Sequence, residues 1–81
     1  MNKDRRKRLK DLHEQVDIIR TELEEIRDEE QESRDNLPDN LQESARAERM
    51  DEIIQSIEES MDYLEEALNG IQEATEWKRY E

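Results

Sequence analysis

Large apolar residues recur along this chain at alternating steps of three and four positions. In the first half they stand at Leu9, Leu12, Val16, Ile19, Leu23 and Ile26, and in the second half at Met50, Ile54, Ile57, Met61, Leu64, Leu68 and Ile71. A mean repeat of about 3.5 residues is typical of a coiled-coil seam, and it excludes β-strands, whose side chains alternate with a period of two. The pattern predicts an all-α fold built from two amphipathic helices.

The chain's one proline, Pro38, separates the two stripes. Proline cannot continue a helix from below, and it biases Leu37 away from helical backbone angles. Asp39 is a favourable N-cap, and Gln42 follows it at the spacing of a capping box. We therefore predict one domain over residues 1–81, with a helix at about 4–34, a turn at about 35–38 and a helix at about 39–77. So short a connection requires an antiparallel two-helix coiled-coil hairpin.

A hairpin of two helices buries only one stripe per helix and is rarely stable alone. Beside the predicted seam lie Ile18, Ile53, Ala67 and Ala74, which would widen the apolar face towards further helices. We expect two copies to dimerise into a four-helix bundle, with docking on a foreign protein as the alternative.

The composition agrees with long helices rather than a compact globule, since 31% of residues are hydrophobic and 47% are charged. Without cysteine the chain has no disulfide or thiolate zinc site, which fits a reducing cytoplasm. Apolar runs never exceed two residues, so no membrane span is expected. We expect a cytoplasmic protein without a membrane or small-molecule partner.

Charge is divided unevenly along the chain. Residues 3–10, KDRRKRLK, form a basic head, whereas the chain from Asp11 onward carries 24 acidic and 7 basic residues, a net charge of −17. The head is either a solvated helical turn beside the acidic end of the second helix, a contact for phosphates, or a docking site for an acidic protein. Because the body is so acidic, direct binding of nucleic acid is not expected. The body itself is either a solvated surface or a mimic of nucleic acid.

Ten residues are candidates for binding a protein partner. They belong to the basic head, to an acidic run before the turn and to the aromatic tail: Arg5, Arg6, Lys7, Arg8, Asp28, Glu29, Glu30, Glu32, Trp77 and Tyr80. Trp, Tyr and Arg are enriched at binding hot spots. Trp77 could alternatively cover the open end of the hairpin near Leu9.

Catalysis is not expected from this sequence. The one histidine, His13, stands outside the predicted seam as an exposed side chain, and Lys10 occupies the place where a helical di-metal motif needs glutamate. Carboxylate pairs at helical spacing are frequent, but with 25 acidic residues on two helices such pairs arise by chance. We expect no catalytic residues, no metal ligands and no cofactor.

The segment NLPDNLQESARAERMDEIIQSIEESMDYLEEAL, residues 36–68, resembles small acidic helical proteins encoded by phages and prophages of Gram-positive bacteria. The resemblance covers about residues 22–70, and its most specific part is the turn DNLPDNLQES. It implies a phage setting and carries no activity with it. Phages often encode small acidic inhibitors of host defence nucleases, which is an analogy of size and charge.

These observations predict a protein that binds other proteins and is not an enzyme. The narrower expectation is a phage-encoded inhibitor of a host nucleic-acid-handling or defence system, of the anti-CRISPR or anti-restriction type. It would bind a host protein either as a nucleic-acid mimic or as a wedge between subunits. The alternative is a structural or regulatory coiled coil, such as a phage assembly component.

Overall fold

A computed structural model of the chain describes residues 1–76 and consists of two long helices joined by a tight connection. Helix α1 spans Lys3–Asp35 and helix α2 spans Ala45–Glu76, and α2 packs back along α1 in an elongated molecule of 62 × 15 × 11 Å. Helix α1 begins at Asn2, whose Oδ1 accepts a hydrogen bond from the backbone N–H of Arg5 at 2.8 Å. The predicted all-α hairpin is confirmed.

The connection between the helices is longer than predicted. Asp39–Leu41 form a single turn of 3₁₀ helix, and α2 begins at Ala45 and not at residue 39. The cap of α2 is Ser44, whose Oγ accepts from the backbone N–H of Ala47 at 3.2 Å and donates to the carbonyl of Leu41 at 2.6 Å. The prediction that Asp39 and Gln42 form a capping box was therefore wrong. The predicted end of the second helix, at residue 77, lies outside the described residues.

Gln42 instead takes part in a cluster of hydrogen bonds that closes the turn. Its Nε2 donates to the carbonyl of Leu37 at 2.6 Å, and the guanidinium of Arg34 donates to both the side-chain oxygen and the carbonyl oxygen of Gln42. Helix α1 has no apolar residue between Ile26 and Leu37. The arginine supplies the contacts that apolar residues would otherwise make.

Burial is concentrated on α2. All six buried residues among those described belong to it: Ala47, Met50, Ile54, Met61, Leu68 and Thr75. Helix α1 contributes the half-buried Leu9, Val16 and Leu23. The other half of its predicted seam is more exposed than expected, because Leu12, Ile19 and Ile26 keep 49%, 51% and 51% of their surface accessible. The apolar stripe of α1 is therefore turned partly away from α2.

Candidate interaction surfaces

The helix–helix interface has two long edges of opposite character. One of them, which we call the closed edge, is covered by arginines of α1 that reach acidic residues of α2. The Nε atom of Arg34 lies 2.9 Å from Asp51 Oδ1, and that of Arg20 lies 2.8 Å from Glu65 Oε2. Between them, an Nη atom of Arg27 lies 3.3 Å from Glu58 Oε2.

These ion pairs form a regular ladder. Both the cations and the anions recur every seven residues, so each rung lies two helical turns from the next. The arginine side chains keep only 19–31% of their surface accessible, because their aliphatic stems lie along α2. This explains why Ile54, Met61 and Leu68 are buried although α1 offers few large apolar residues on that side.

Arg27 also pairs within its own helix. Its Nε donates to Asp28 Oδ1 at 2.8 Å. This hydrogen bond raises the pKa of the Arg27 guanidinium, and the negative charges of Asp28, Glu58 and Glu24 act in the same direction. The Arg27 guanidinium therefore stays charged at every physiological pH.

Sequence reasoning missed the ladder, although its signal was present. Cationic or ionisable residues occupy every seventh position of α1, at Arg6, His13, Arg20, Arg27 and Arg34. We followed only the apolar residues and assigned His13 to an exposed face. It is in fact half-buried and lines a groove at the open end of the hairpin with Arg6, Lys10, Gln72, Thr75 and Glu76.

The opposite side of the interface, which we call the open edge, is mostly apolar, and no ion pair between described residues covers it. Its α1 side carries Leu12, Ile19 and Ile26, and its α2 side carries Ile53, Ser60, Ala67 and Ala74, again at seven-residue spacing. The floor between them contains Ile57, Leu64 and Ile71, which are half-buried while the α2 residues behind the arginines are buried. In an antiparallel pair the same flanking positions of both helices fall on one side, so these residues share one surface.

A third surface is the outer face of α2, which we call the outer acidic stripe. Its seven exposed carboxylates lie at helical spacing: Glu48, Glu52, Glu59, Asp62, Glu66, Glu73 and Glu76. Arg49 lies 3.4 Å from Glu52, and among the described residues no cation pairs with the other six. Spread over about 42 Å of helix, they give one carboxylate per roughly 7 Å.

The predicted site residues do not form one site. The basic head lies at the open end of the hairpin, where Arg6 Nε donates to the carbonyl of Thr75 at 3.0 Å and Lys7 pairs with Asp11 at 3.1 Å. Arg5 and Arg8 border an open apolar hollow that includes Leu12. The Thr75 contact agrees with a head that lies beside the end of α2.

The acidic run lies far from the head on the same helix. About 33 Å of helix separates Arg6 from Asp28. Asp28 pairs with Arg27, Glu30 is half-buried, and Glu29 and Glu32 are exposed. Trp77 and Tyr80, the predicted aromatic anchors, lie outside the described residues.

Neither a metal-binding cluster nor a membrane span is found in the part of the chain that the structure describes. No group of three or more histidine, aspartate or glutamate side chains is arranged to hold a metal ion in residues 1–76. Over the same residues, neither helix contains a segment apolar enough to cross a bilayer.

The fold and these surfaces define the class of this protein: an antiparallel α-helical hairpin whose helices pack as in a coiled coil, with one edge closed by ion pairs and one edge open. Comparison with known proteins adds no narrower name, because no family model, no curated protein and no solved structure matches the chain.

Proposed function

We propose that this protein is a non-enzymatic inhibitor, encoded by a phage, that binds a nucleic-acid-handling or defence protein of the host cytoplasm. The observation that carries the proposal is the outer acidic stripe. Its carboxylates are exposed along one straight face, and although Arg49 pairs with Glu52, the arginines Arg20, Arg27 and Arg34 are held away from the stripe at the closed edge. The charge segregation leaves an acidic rod open to a basic partner.

The spacing of the stripe supports mimicry of a nucleic-acid backbone. One carboxylate per roughly 7 Å is about half the axial charge density of a single DNA strand, which carries a phosphate every 3.4 Å or so. A DNA-binding groove lined with lysine and arginine would therefore be attracted by an electrostatic field of the same sign as that of DNA. The rigid helix would occupy the groove and block it. The protein itself, at a net charge of −12, is not expected to bind nucleic acid.

In this proposal the hairpin acts as a homodimer that forms a four-helix bundle. The open edge favours such self-association, because its isoleucine and leucine side chains are about half exposed. The same edge also supports a second candidate function, a structural or assembly coiled coil of the phage particle. In that case the open edge would be the functional surface and the acidic stripe would only be solvated.

Affinity capture separates the two functions. The immobilised protein is exposed to host lysate at salt concentrations between about 0.05 and 0.5 M, and bound proteins are identified by mass spectrometry. An inhibitor of the proposed kind should retain a nuclease or other nucleic-acid-binding protein that added duplex DNA releases and that dissociates as salt rises. Recovery of virion proteins alone would favour assembly.

A pair of variants tests the stripe itself. Neutralising Glu59, Asp62 and Glu66 to their amides should abolish the salt-sensitive capture. The matched control neutralises three exposed acids of α1 that lie off the stripe, Glu14, Asp17 and Glu25, and changes the net charge by the same amount. Equal loss in both triple variants would mean that only total charge matters, and the mimicry proposal would fail.

A further inference from the structure

The open edge exposes large apolar side chains along much of the hairpin. Leu12, Ile19 and Ile26 of α1 keep 49%, 51% and 51% of their surface accessible, and Ile53 of α2 keeps 37%. Covering such side chains with a partner is favourable by about 25 cal/mol for each Å² of apolar surface removed from water. The open edge therefore favours association.

We propose that the open edge binds the open edge of a second copy, with α1 of each copy lying on α2 of the other. The two copies are then related by a twofold axis parallel to the long axis of the hairpin. This assignment rests on the self-association included in the proposed function, and it does not depend on the identity of any other partner. It specifies the interface residues and the orientation of the bundle.

Complementary side-chain sizes support this orientation. The α1 side of the open edge is large, with Leu12, Ile19 and Ile26, while the α2 side is mostly small, with Ser60, Ala67 and Ala74. Crossing α1 of one copy onto α2 of the other sets large residues against small ones, so the layers interdigitate. The opposite arrangement, α1 on α1, would set large against large and leave the small stripes facing each other.

The heights of the residues along the bundle also support this orientation. The ion pair between Arg20 and Glu65 places Ile19 at the height between Ser60 and Ala67. Since a twofold axis along the bundle keeps every residue at its height, Ile19 of one copy meets the gap between Ser60 and Ala67 of the other. That is the knob-into-hole geometry of a helical bundle.

Two neighbouring residues of α1 provide the test and its control. Ile19 lies on the open edge, whereas Thr21 is exposed on the side of α1 that faces away from α2. We expect sedimentation equilibrium of the full chain to show a dimer, and Ile19→Glu to weaken association more than about 100-fold, since each copy loses a buried side chain and gains a charge. Thr21→Glu adds the same charge and should leave the dimer unchanged.

A second substitution distinguishes loss of association from misfolding of the Ile19→Glu variant. Ala67 is exposed on α2, so Ala67→Glu should leave the hairpin's own packing and its helical circular dichroism intact while it also produces monomers. A wild-type chain that stays monomeric at millimolar concentration, or equal effects of the Thr21 and Ile19 variants, would overturn the inference.

The orientation is tested by cross-linking, which is simple because the chain has no cysteine. Ile19→Cys and Ala67→Cys chains, one of them tagged, are mixed and oxidised. The inference expects the mixed disulfide dimer to dominate, and a dimer of Ile19→Cys with itself would refute the orientation.

Added salt should strengthen self-association, because each copy carries a net charge of −12, whereas it should weaken capture of a basic partner. A monomer that still captures such a partner would therefore refute only the dimer.

Discussion

Arg34 is the side chain through which α1, the connection and α2 are held together, and its removal should destabilise the whole hairpin. Its guanidinium reaches Asp51 on α2 at 2.9 Å and the carbonyl of Gln42 in the connection at 3.1 Å, with a further hydrogen bond to the side chain of Gln42. The side chain is 19% exposed. We therefore consider the substitution Arg34→Ala.

The size of the effect follows from these contacts. Asp51 is 57% exposed, so its ion pair with Arg34 is screened by water and contributes about 0.5–1 kcal/mol. The two hydrogen bonds to Gln42 are better shielded and involve a charged donor, so they contribute about 1 kcal/mol each. Arg34→Ala should thus lower the free energy of unfolding by about 2–3 kcal/mol, and Arg34→Lys, which keeps the charge but loses the planar fork, by about half of that.

Urea unfolding followed by circular dichroism measures this loss. With a slope of about 1.5 kcal/mol per molar urea for a chain of this size, the midpoint should fall by about 1.3–2 M. Protein concentration must be held constant, because self-association contributes to apparent stability. Arg49→Ala is the control: Arg49 is 73% exposed and pairs only with Glu52 within α2, so its loss should change the free energy by less than about 0.5 kcal/mol.

Equal midpoints for the Arg34 and Arg49 variants would refute the reasoning. A double-mutant cycle with Gln42→Ala locates the error, because the cycle isolates the coupling between the two side chains. A coupling of about 1 kcal/mol or more is expected. A value near zero would mean that the turn is fixed by Pro38 and the backbone alone.

Three smaller substitutions test other parts of the hairpin by the same assay. Gly70→Ala should stabilise the protein by about 0.5–1 kcal/mol, because a Cβ placed there meets no atom within 4 Å and alanine favours the helix. Ser44→Ala should cost about 1 kcal/mol through loss of the α2 cap, whereas Asp39→Ala should have little effect, since Asp39 caps no part of α2. Leu68→Ala should cost about 2–4 kcal/mol, because Leu68 is 6% exposed beneath the closed edge.

The hairpin could be predicted from the sequence because two local signals agree. The repeat of three and four fixes helices on both sides of Pro38, and a short connection leaves only the antiparallel arrangement. The beginning of α2 could not be fixed in this way. Asp39 and Ser44 are both good caps, and the choice depends on Arg34, which draws Gln42 into a contact that the local sequence does not reveal.

The facing surfaces were harder to predict for a related reason. A hydrophobic stripe shows that a helix has an apolar face, but it does not show the angle at which that face meets the neighbouring helix. We assumed that apolar residues face apolar residues, so Leu12, Ile19 and Ile26 were placed in the seam. The long aliphatic stems of Arg20, Arg27 and Arg34 instead cover α2 and rotate the α1 stripe outward.

Of the candidate site, the acidic surface was predictable and its organisation was not. The sequence gives the number of carboxylates, but only the pairing in the folded chain tells which of them are neutralised. Asp51, Glu58 and Glu65 face arginines, whereas Glu59, Asp62 and Glu66, one turn away or less, have no cation beside them in the described structure. The predicted acidic run on α1 is partly engaged, since Asp28 holds Arg27.

The closed edge, the open edge and the acidic stripe are consequences of one distribution of charge. Because the arginines of α1 are committed to the closed edge, they cannot neutralise the outer face of α2, which stays acidic. Because they occupy the side of α1 that faces α2, the apolar stripe is displaced to the open edge. A dimer through the open edge would then carry two acidic stripes on its outside.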